Sequence, residues 1–437
     1  MAKKLRKTFR RLAPLACLLL VVSSSAAARQ RRPEDLRPTL ILVCTDGLRY
    51  DYLEKFSPPN LNRLARAGVR ARWMTPAFPS NTFPNFYTIA TGLNPQSHGI
   101  VENSVYDQRT KALFEMSARE EVRSGRWWLG EPIWVTAEKQ GQKTAMLFYP
   151  GSEAEIAGHR PTFWRPYDGK LPNEERVRLI LSWLDLPAAE RPTLLSVYFS
   201  DVDDAGHDFG PDAPETGDAV RRVDAAAGQL VAGLEARGIL ERVNLVFLSD
   251  HGMATVDRNN AVILDEMFDT AAAEKIVWSS EIVGIFPRAG REREIYVALR
   301  EKLPPQARVY RKTEIPARFH YSRGPRIAPL LVLPEEGWIV TSRKKFEEMR
   351  EKGELKGLKG GHGYDNRLPS MRATFFAHGP AFRRAAVVEP FDNVHVYNIM
   401  ARALGLRPAP NEGNFDAARA VLNDTRTPAR RTRASRR

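Results

Sequence analysis

The apolar stretches of this chain are short, continuous and bounded by polar turns. That is the pattern of strands buried on both faces rather than of strands alternating against water. Residues 39–45, 143–149, 193–199 and 243–248 form four such runs. Helical spacing appears between them, over 60–67 with Gly68 as a stop, over 174–184, and over the long amphipathic stretch 218–237. A strand-like run at 373–377 and a helix over 394–404 follow. The alternation predicts an α/β fold with a doubly wound, mainly parallel central sheet and helices on both faces. Residues 255–345 are less regular and read as a small insertion subdomain within a single domain spanning 38–410.

In such a sheet, ligands bind outside the carboxyl ends of the strands. Three of the buried runs end there in acidic turns: Asp46-Gly47, the segment Asp201 to His207, and Asp250-His251. A glycine-rich loop around His362 comes later in the chain. The stretch 78–103 opens with Pro79, Ser80 and Asn81, presents the hydroxyl of Thr82, and runs through Pro84 into helical spacing. Thr82 is therefore expected where a loop meets a helix N-terminus, whose unpaired N–H groups favour a phosphate. A threonine hydroxyl is a poor nucleophile at neutral pH without a base or a metal.

The metal is suggested by Asp46, Asp203, Asp250, His207, His251 and His362 together. Singly, each has a plainer reading, since an Asp after a strand caps a helix and a loop histidine is usually just hydrogen-bonded. Jointly, they are too many ligands for one ion and about enough for two. Nitrogen and oxygen donors without cysteine suit zinc best, with manganese and cobalt as alternatives. Two such ions can clamp an in-line phosphoryl displacement and lower the pKa of Thr82.

Hydrophobic residues make up 43% of the 437 positions, enough for a large core. Residues 1–28 have a basic start, an apolar run and a small-residue end at Ala28, the layout of a cleaved secretory signal. The apolar run is short for a membrane anchor, so no stable membrane span is expected after cleavage, and the product is expected in the periplasm or secreted. Residues 29–37 read as an exposed leader, and 411–437 as a basic, disordered tail. The formal net charge of +14 is concentrated in the signal and the terminal arginines, so it gives no ground for a specific nucleic-acid partner. Cys17 and Cys44 are the only cysteines, which excludes a disulfide scaffold.

With its motifs in view, the chain resembles the nucleotide pyrophosphatase/phosphodiesterases of the alkaline phosphatase superfamily, in their stand-alone bacterial form. The motifs are V-C-T-D-G at Asp46, N-T-F-P-N at Thr82, T-G-L-N-P-Q-S-H-G-I-V-E-N through Asn103, G-E-P-I-W-V-T-A from Gly130, D-D-A-G-H through His207, S-D-H-G-M at Asp250, and G-H-G-Y-D-N at His362. The resemblance implies an alkaline-phosphatase-like fold and two Zn2+ per chain. Asp46, Thr82, Asp250 and His251 would hold one ion, and Asp203, His207 and His362 the other. It further implies Thr82 as nucleophile, a phospho-threonine intermediate, and Asn103 as a donor to the phosphate oxygens. Gly361 departs from the bulkier residue usual in relatives, which would loosen the His362 loop.

Phe83 and Tyr167 fall where nucleotide-selective relatives place aromatics around the base, although either ring could equally pack in the core. The insert 150–170, largely missing from lysophospholipid-acting relatives, is present in full. A small-molecule substrate with a nucleotide phosphodiester or pyrophosphate bond is therefore expected, ahead of choline or lipid diesters and phosphomonoesters. A non-catalytic metal-stabilised binding protein is a further alternative, disfavoured because Thr82 and every ligand are present. Asp201 and Asp204 read as flanking or solvated groups, and Trp127, Trp128 and Trp164 as either pocket rim or core.

Overall fold

The computed structural model describes residues 35–279 and 281–423. The expected signal and the terminal arginines lie outside the described residues. Among those described, no helix is long and apolar enough to cross a membrane.

The apolar runs become the centre of an eight-stranded sheet. In chain order its strands are β1 (Thr39–Thr45), β2 (Val69–Ala71), β3 (Thr144–Leu147), β4 (Phe163–Arg165), β5 (Leu194–Phe199), β6 (Val243–Leu248), β7 (Phe375–His378) and β8 (Ala386–Val388). Across the sheet the order is β8-β2-β7-β6-β1-β5-β3-β4. The sheet is mainly parallel, with β7 alone reversed, antiparallel to both β6 and β2. Every residue of β1, β5 and β6 is buried, which is why these segments read as nearly continuous apolar runs, interrupted only by Ser196 in β5 and Asn244 in β6 between their ends. They are also immediate neighbours: Cys44 pairs with Tyr198 on one side and Leu248 on the other. Their carboxyl ends, each followed by an acidic turn, thus share one rim.

Helices α1 (Pro59–Ala67), α2 (Thr82–Thr91), α3 (Asn173–Leu184), α4 (Asp201–Phe209), α5 (Pro214–Ala236) and α6 (Val396–Ala403) accompany the sheet. Helix α2 buries Phe86, Tyr87, Ile89 and Ala90. It stops at Gly92, whose left-handed conformation (φ 67°) lets its N–H reach the carbonyl of Thr88. Burial of this helix on most of its surface fixes where its first residue, Thr82, can stand.

Within 255–345 lies a four-stranded antiparallel sheet built from Ala273–Ser279, Ile282–Pro287, Leu330–Pro334 and Ala307–Arg311. Val283, Ile285, Leu330 and Val332 form a separate apolar cluster there with Ile295 and Leu299 of a helix, Glu292–Lys302. The segment beyond residue 410 departs from expectation. A further helix, α7 (Phe415–Val421), is capped by the Asn414 side chain and buries Ala418 and Val421, while Glu412 binds Asn94 and Ser97. Two buried apolar side chains and a cap suffice to order a stretch whose composition alone suggests a frayed tail.

Candidate active site

Each acidic turn delivers its side chain to the rim by a local device. Asp46 follows β1 directly, and Asp250 and His251 follow β6. Asp203 and His207 stand four residues apart on α4, hence on one helix face. His362 lies just past a short strand, Lys359–Gly361, that pairs antiparallel with Ala254–Val256, so its loop is tied to the segment leaving His251.

The six residues form two triads, Asp46 with Asp250 and His251, and Asp203 with His207 and His362, with donor atoms inside each triad within 4.8 Å of one another. His251 Nε2 is 3.1 Å from Asp250 Oδ2 and 3.3 Å from Asp46 Oδ1. The Nε2 atoms of His207 and His362 each lie 3.5 Å from an oxygen of Asp203. All three rings face a backbone carbonyl with Nδ1: His251 that of Gly252 at 2.8 Å, His207 that of Gly360 at 3.1 Å, and His362 that of Ser80 at 3.0 Å. Donating Nδ1–H there leaves every Nε2 lone pair pointing inward.

Buried oxygens complete the pattern: Asp46 Oδ1, Asp203 Oδ1 and Asp250 Oδ2 have no hydrogen-bond partner among the described residues. Orphaned carboxylate oxygens beside free imidazole lone pairs are costly as they stand and fit bound divalent cations. Protein electrostatics carry the same strain. Burial, then the charges of Asp250 and Asp203, push the Asp46 carboxyl well above the usual range. Burial works to lower His251, but Asp250 and Asp203 outweigh it and hold the ring up at about 8, so that a proton and a cation would compete for its Nε2. Burial and the His251 and His207 rings hold His362 well below the usual histidine range.

Thr82 is the first residue of α2, and its Oγ1 stands 3.3 Å from His251 Nε2. The N-terminal N–H groups of α2 are not all free, since the Phe83 N–H donates to Asn103 Oδ1 at 2.9 Å. That bond orients the Asn103 amide, leaving its NH2 as the available donor.

Beside Thr82 opens a cleft of about 260 Å³, lined among others by Asp46, Asp203, Phe83 and Tyr167. Tyr167 is 42% exposed, edge-on to Phe148 and Tyr198, so it is not a core residue. Phe83 is half-buried against Phe114 and Trp128, serving core and cleft together. Trp127 and Trp128 are buried, and Trp164 lies on the edge strand β4. Asp204 lines the cleft, whereas Asp201 is engaged by Asn173 and Arg222.

Two site residues escaped the sequence reading. Tyr198 donates its hydroxyl to Asp46 Oδ2 at 2.5 Å, yet in sequence it is one more aromatic in an apolar run. Glu153, on the cleft wall, is buried and receives Arg119, Arg123 and the Tyr167 N–H. Its only signal is an acid inside the 150–170 insert. The expected looseness at Gly361 is also corrected. A Cβ there would sit 2.7 Å from Glu281 Oε1, so a carboxylate from elsewhere in the chain fills the space of the missing side chain.

A doubly wound sheet carrying paired Asp/His triads and a helix-initiating threonine on its carboxyl rim defines an alkaline-phosphatase-like α/β protein. The sequence profile of the family described as Type I phosphodiesterase / nucleotide pyrophosphatase matches residues 40–365. The chain belongs to that family. A Schizosaccharomyces pombe protein described as an uncharacterized pyrophosphatase/phosphodiesterase is 41% identical over 391 residues, covering 87% of this chain and 79% of its own length. A venom phosphodiesterase of Crotalus durissus collilineatus is 37% identical over 393 residues, covering 88% of this chain. This chain spans only 46% of that relative's length. Among solved structures, murine ectonucleotide pyrophosphatase/phosphodiesterase 5 superposes with a TM-score of 0.82 at 32% identity, covering 88% of this chain and all of that one. An inactive variant of the murine protein has been solved in complex with AMP, with the same overlap.

Proposed function

We propose that this chain is an exported dizinc phosphodiesterase and nucleotide pyrophosphatase that cleaves nucleotide phosphodiester or pyrophosphate bonds through an intermediate on Thr82. The observation that carries the proposal is the position of the Thr82 hydroxyl, beside the Asp46–Asp250–His251 triad and at the mouth of a cleft holding Phe83 and Tyr167. The AMP complex of the murine relative and the family description support a nucleotide substrate, and the names of the venom and S. pombe relatives support cleavage of phosphodiester or pyrophosphate bonds. Export is supported by the layout of residues 1–28 and by relatives described as venom enzymes.

Asp46, Asp250, His251 and Thr82 would hold one zinc ion, and Asp203, His207 and His362 the second. Bound there, the ions supply Lewis-acid charge for the threonine oxygen and the phosphoryl oxygens. The protein's own groups do the rest. Tyr198 holds Asp46 by its second oxygen, and the three backbone-anchored imidazoles keep their tautomers fixed. Thr82 Oγ1 loses its proton and bonds to phosphorus, while the leaving alcohol or phosphate departs with the bonding pair and is protonated. Asn103 Nδ2 donates to a non-bridging oxygen as charge accumulates there. Water then attacks phosphorus, the Thr82–phosphorus bond breaks, and the hydroxyl is restored.

The test is turnover by Thr82→Ala and Thr82→Ser across nucleotide, simple diester, monoester and lysophospholipid substrates. The alanine variant should keep its fold and lose roughly 10³-fold or more in kcat, and serine should retain substantial activity. Near wild-type turnover by Thr82→Ala would defeat the proposal.

A further inference from the structure

Thr82 is bracketed by two hydrogen bonds, donated by its two chain neighbours and accepted by adjacent residues of another segment. On one side, Glu102 Oε1 accepts from the Asn81 side-chain amide at 2.5 Å. On the other, Asn103 Oδ1 accepts from the Phe83 N–H at 2.9 Å. The same Glu102 oxygen also accepts the Asn103 N–H at 2.8 Å, so one atom links both arms. Glu102 is 6% exposed, and its other oxygen, Oε2, is buried without a partner among the described residues.

We infer that Glu102 is a positioning residue for the nucleophile, holding Asn81 directly and Phe83 through Asn103, and so setting the place of Thr82 between them. The inference rests on the reading of Thr82 as nucleophile.

Three features support more than packing. First, burial is the main influence on the Glu102 carboxyl and pushes it up to about 7, and among the described residues no cation is bonded to it to offset that cost. An apolar residue of similar size would relieve the cost but would leave two donors, Asn81 Nδ2 and Asn103 N–H, without their acceptor. Second, the bracket reaches the second triad. A Cβ on Gly363, beside His362, would lie 2.7 Å from Asn81 Oδ1, and Gly363 adopts φ 107°, so the His362 loop closes directly on the residue Glu102 holds. Third, Asn103 has a single side-chain oxygen, and its bond to Phe83 determines which way its NH2 faces. A shift of residues 102–103 would therefore misplace both the attacking oxygen and a donor to the phosphate. Neither Glu102 contact is to substrate, so the loss belongs in kcat rather than in KM.

The test uses the metal-loaded full chain and a nucleotide phosphodiester. It compares Glu102→Ala, Glu102→Gln, Asn81→Ala and Thr82→Ala by kcat, KM, metal content and Tm. Glu102→Ala should lower kcat about 10- to 100-fold, with KM within about twofold and metal content unchanged. Glu102→Gln keeps one acceptor oxygen for both donors and should return to within about threefold of wild type. If Glu102→Ala does not fold, Asn81→Ala must show the kcat loss with its metals retained. A kcat within about twofold of wild type in Glu102→Ala, or in Asn81→Ala where that variant decides, would overturn the inference. So would a loss that tracks metal content, or a glutamine variant as impaired as alanine. Thr82→Ala separates the two ideas, because its full activity would remove the nucleophile reading whatever Glu102 does. Its inactivity beside a fully active Glu102→Ala would remove only the positioning role.

Discussion

The Nε2 atoms of His207 and His362 stand 3.0 Å apart, while the Nδ1 of each ring faces a backbone carbonyl. With both Nδ1–H groups committed outward, two lone pairs oppose each other next to the Asp203 carboxylate, an arrangement that a shared cation relieves.

The first prediction follows from that pairing and from the matching orphans in the other triad. Active protein should contain about two zinc ions per chain, and Asp203→Asn and Asp250→Asn should each lose about one. Chelation should abolish turnover and lower Tm, because ions held at 1,000 times their Kd contribute ~4 kcal/mol each to the folded state. Elemental analysis and thermal denaturation check this, and fewer than one transition metal per chain in active protein would sink the dizinc account.

Substrate choice turns on Tyr167, whose exposed ring shares the cleft with Phe83. If the two rings hold a nucleobase, Tyr167→Ala should cost about 1–3 kcal/mol, roughly five- to a hundred-fold in kcat/KM, on a nucleotide diester. A small aryl diester should lose less, since its reacting phosphate still meets Thr82 and Asn103. The ratio of the two activities is the quantity to measure. Equal losses would mean that Tyr167 serves the fold of the insert.

A pH effect on stability should arise away from the metal ligands, at His98. It is fully buried, with Nε2 2.9 Å from Thr88 Oγ1 and Nδ1 accepting the Ile100 N–H. Burial holds its pKa down at about 3 from an ordinary 6.5. Between those values the unfolded chain binds a proton that the folded chain refuses, so stability falls as pH drops below about 6.5. The slope should approach ~1.4 kcal/mol per pH unit below about pH 6. Urea midpoints at several pH values should show a shallower slope in His98→Gln than in wild type, with the pH response of the two Asp/His triads common to both. Identical slopes would contradict the assignment.

Much of this was legible in the sequence because β1, β5 and β6 are buried on both faces and therefore nearly continuous in apolar character. Their terminal aspartates announced the rim, and Pro84 announced the start of α2. Strand order was not legible. The reversal of β7 and its insertion between β6 and β2 depend on pairings between residues more than a hundred positions apart, such as Phe376 with Phe247. Nor did the sequence distinguish Tyr198 from the core aromatics around it, or Glu102 from a surface acid. The significance of both lies in a single atom delivered across the fold, to Asp46 and to Asn81. The α7 helix was hidden by its polar surroundings, which the Asn414 cap and two buried side chains overcome.

The central claim, covalent catalysis at Thr82, has a direct stereochemical test. Displacement by Thr82 and then by water inverts phosphorus twice, whereas direct attack by water inverts it once. Hydrolysis of a nucleotide phosphorothioate diester of known configuration in ¹⁸O-labelled water, followed by configurational analysis of the product, distinguishes the two. The account predicts net retention at phosphorus, and net inversion would contradict it.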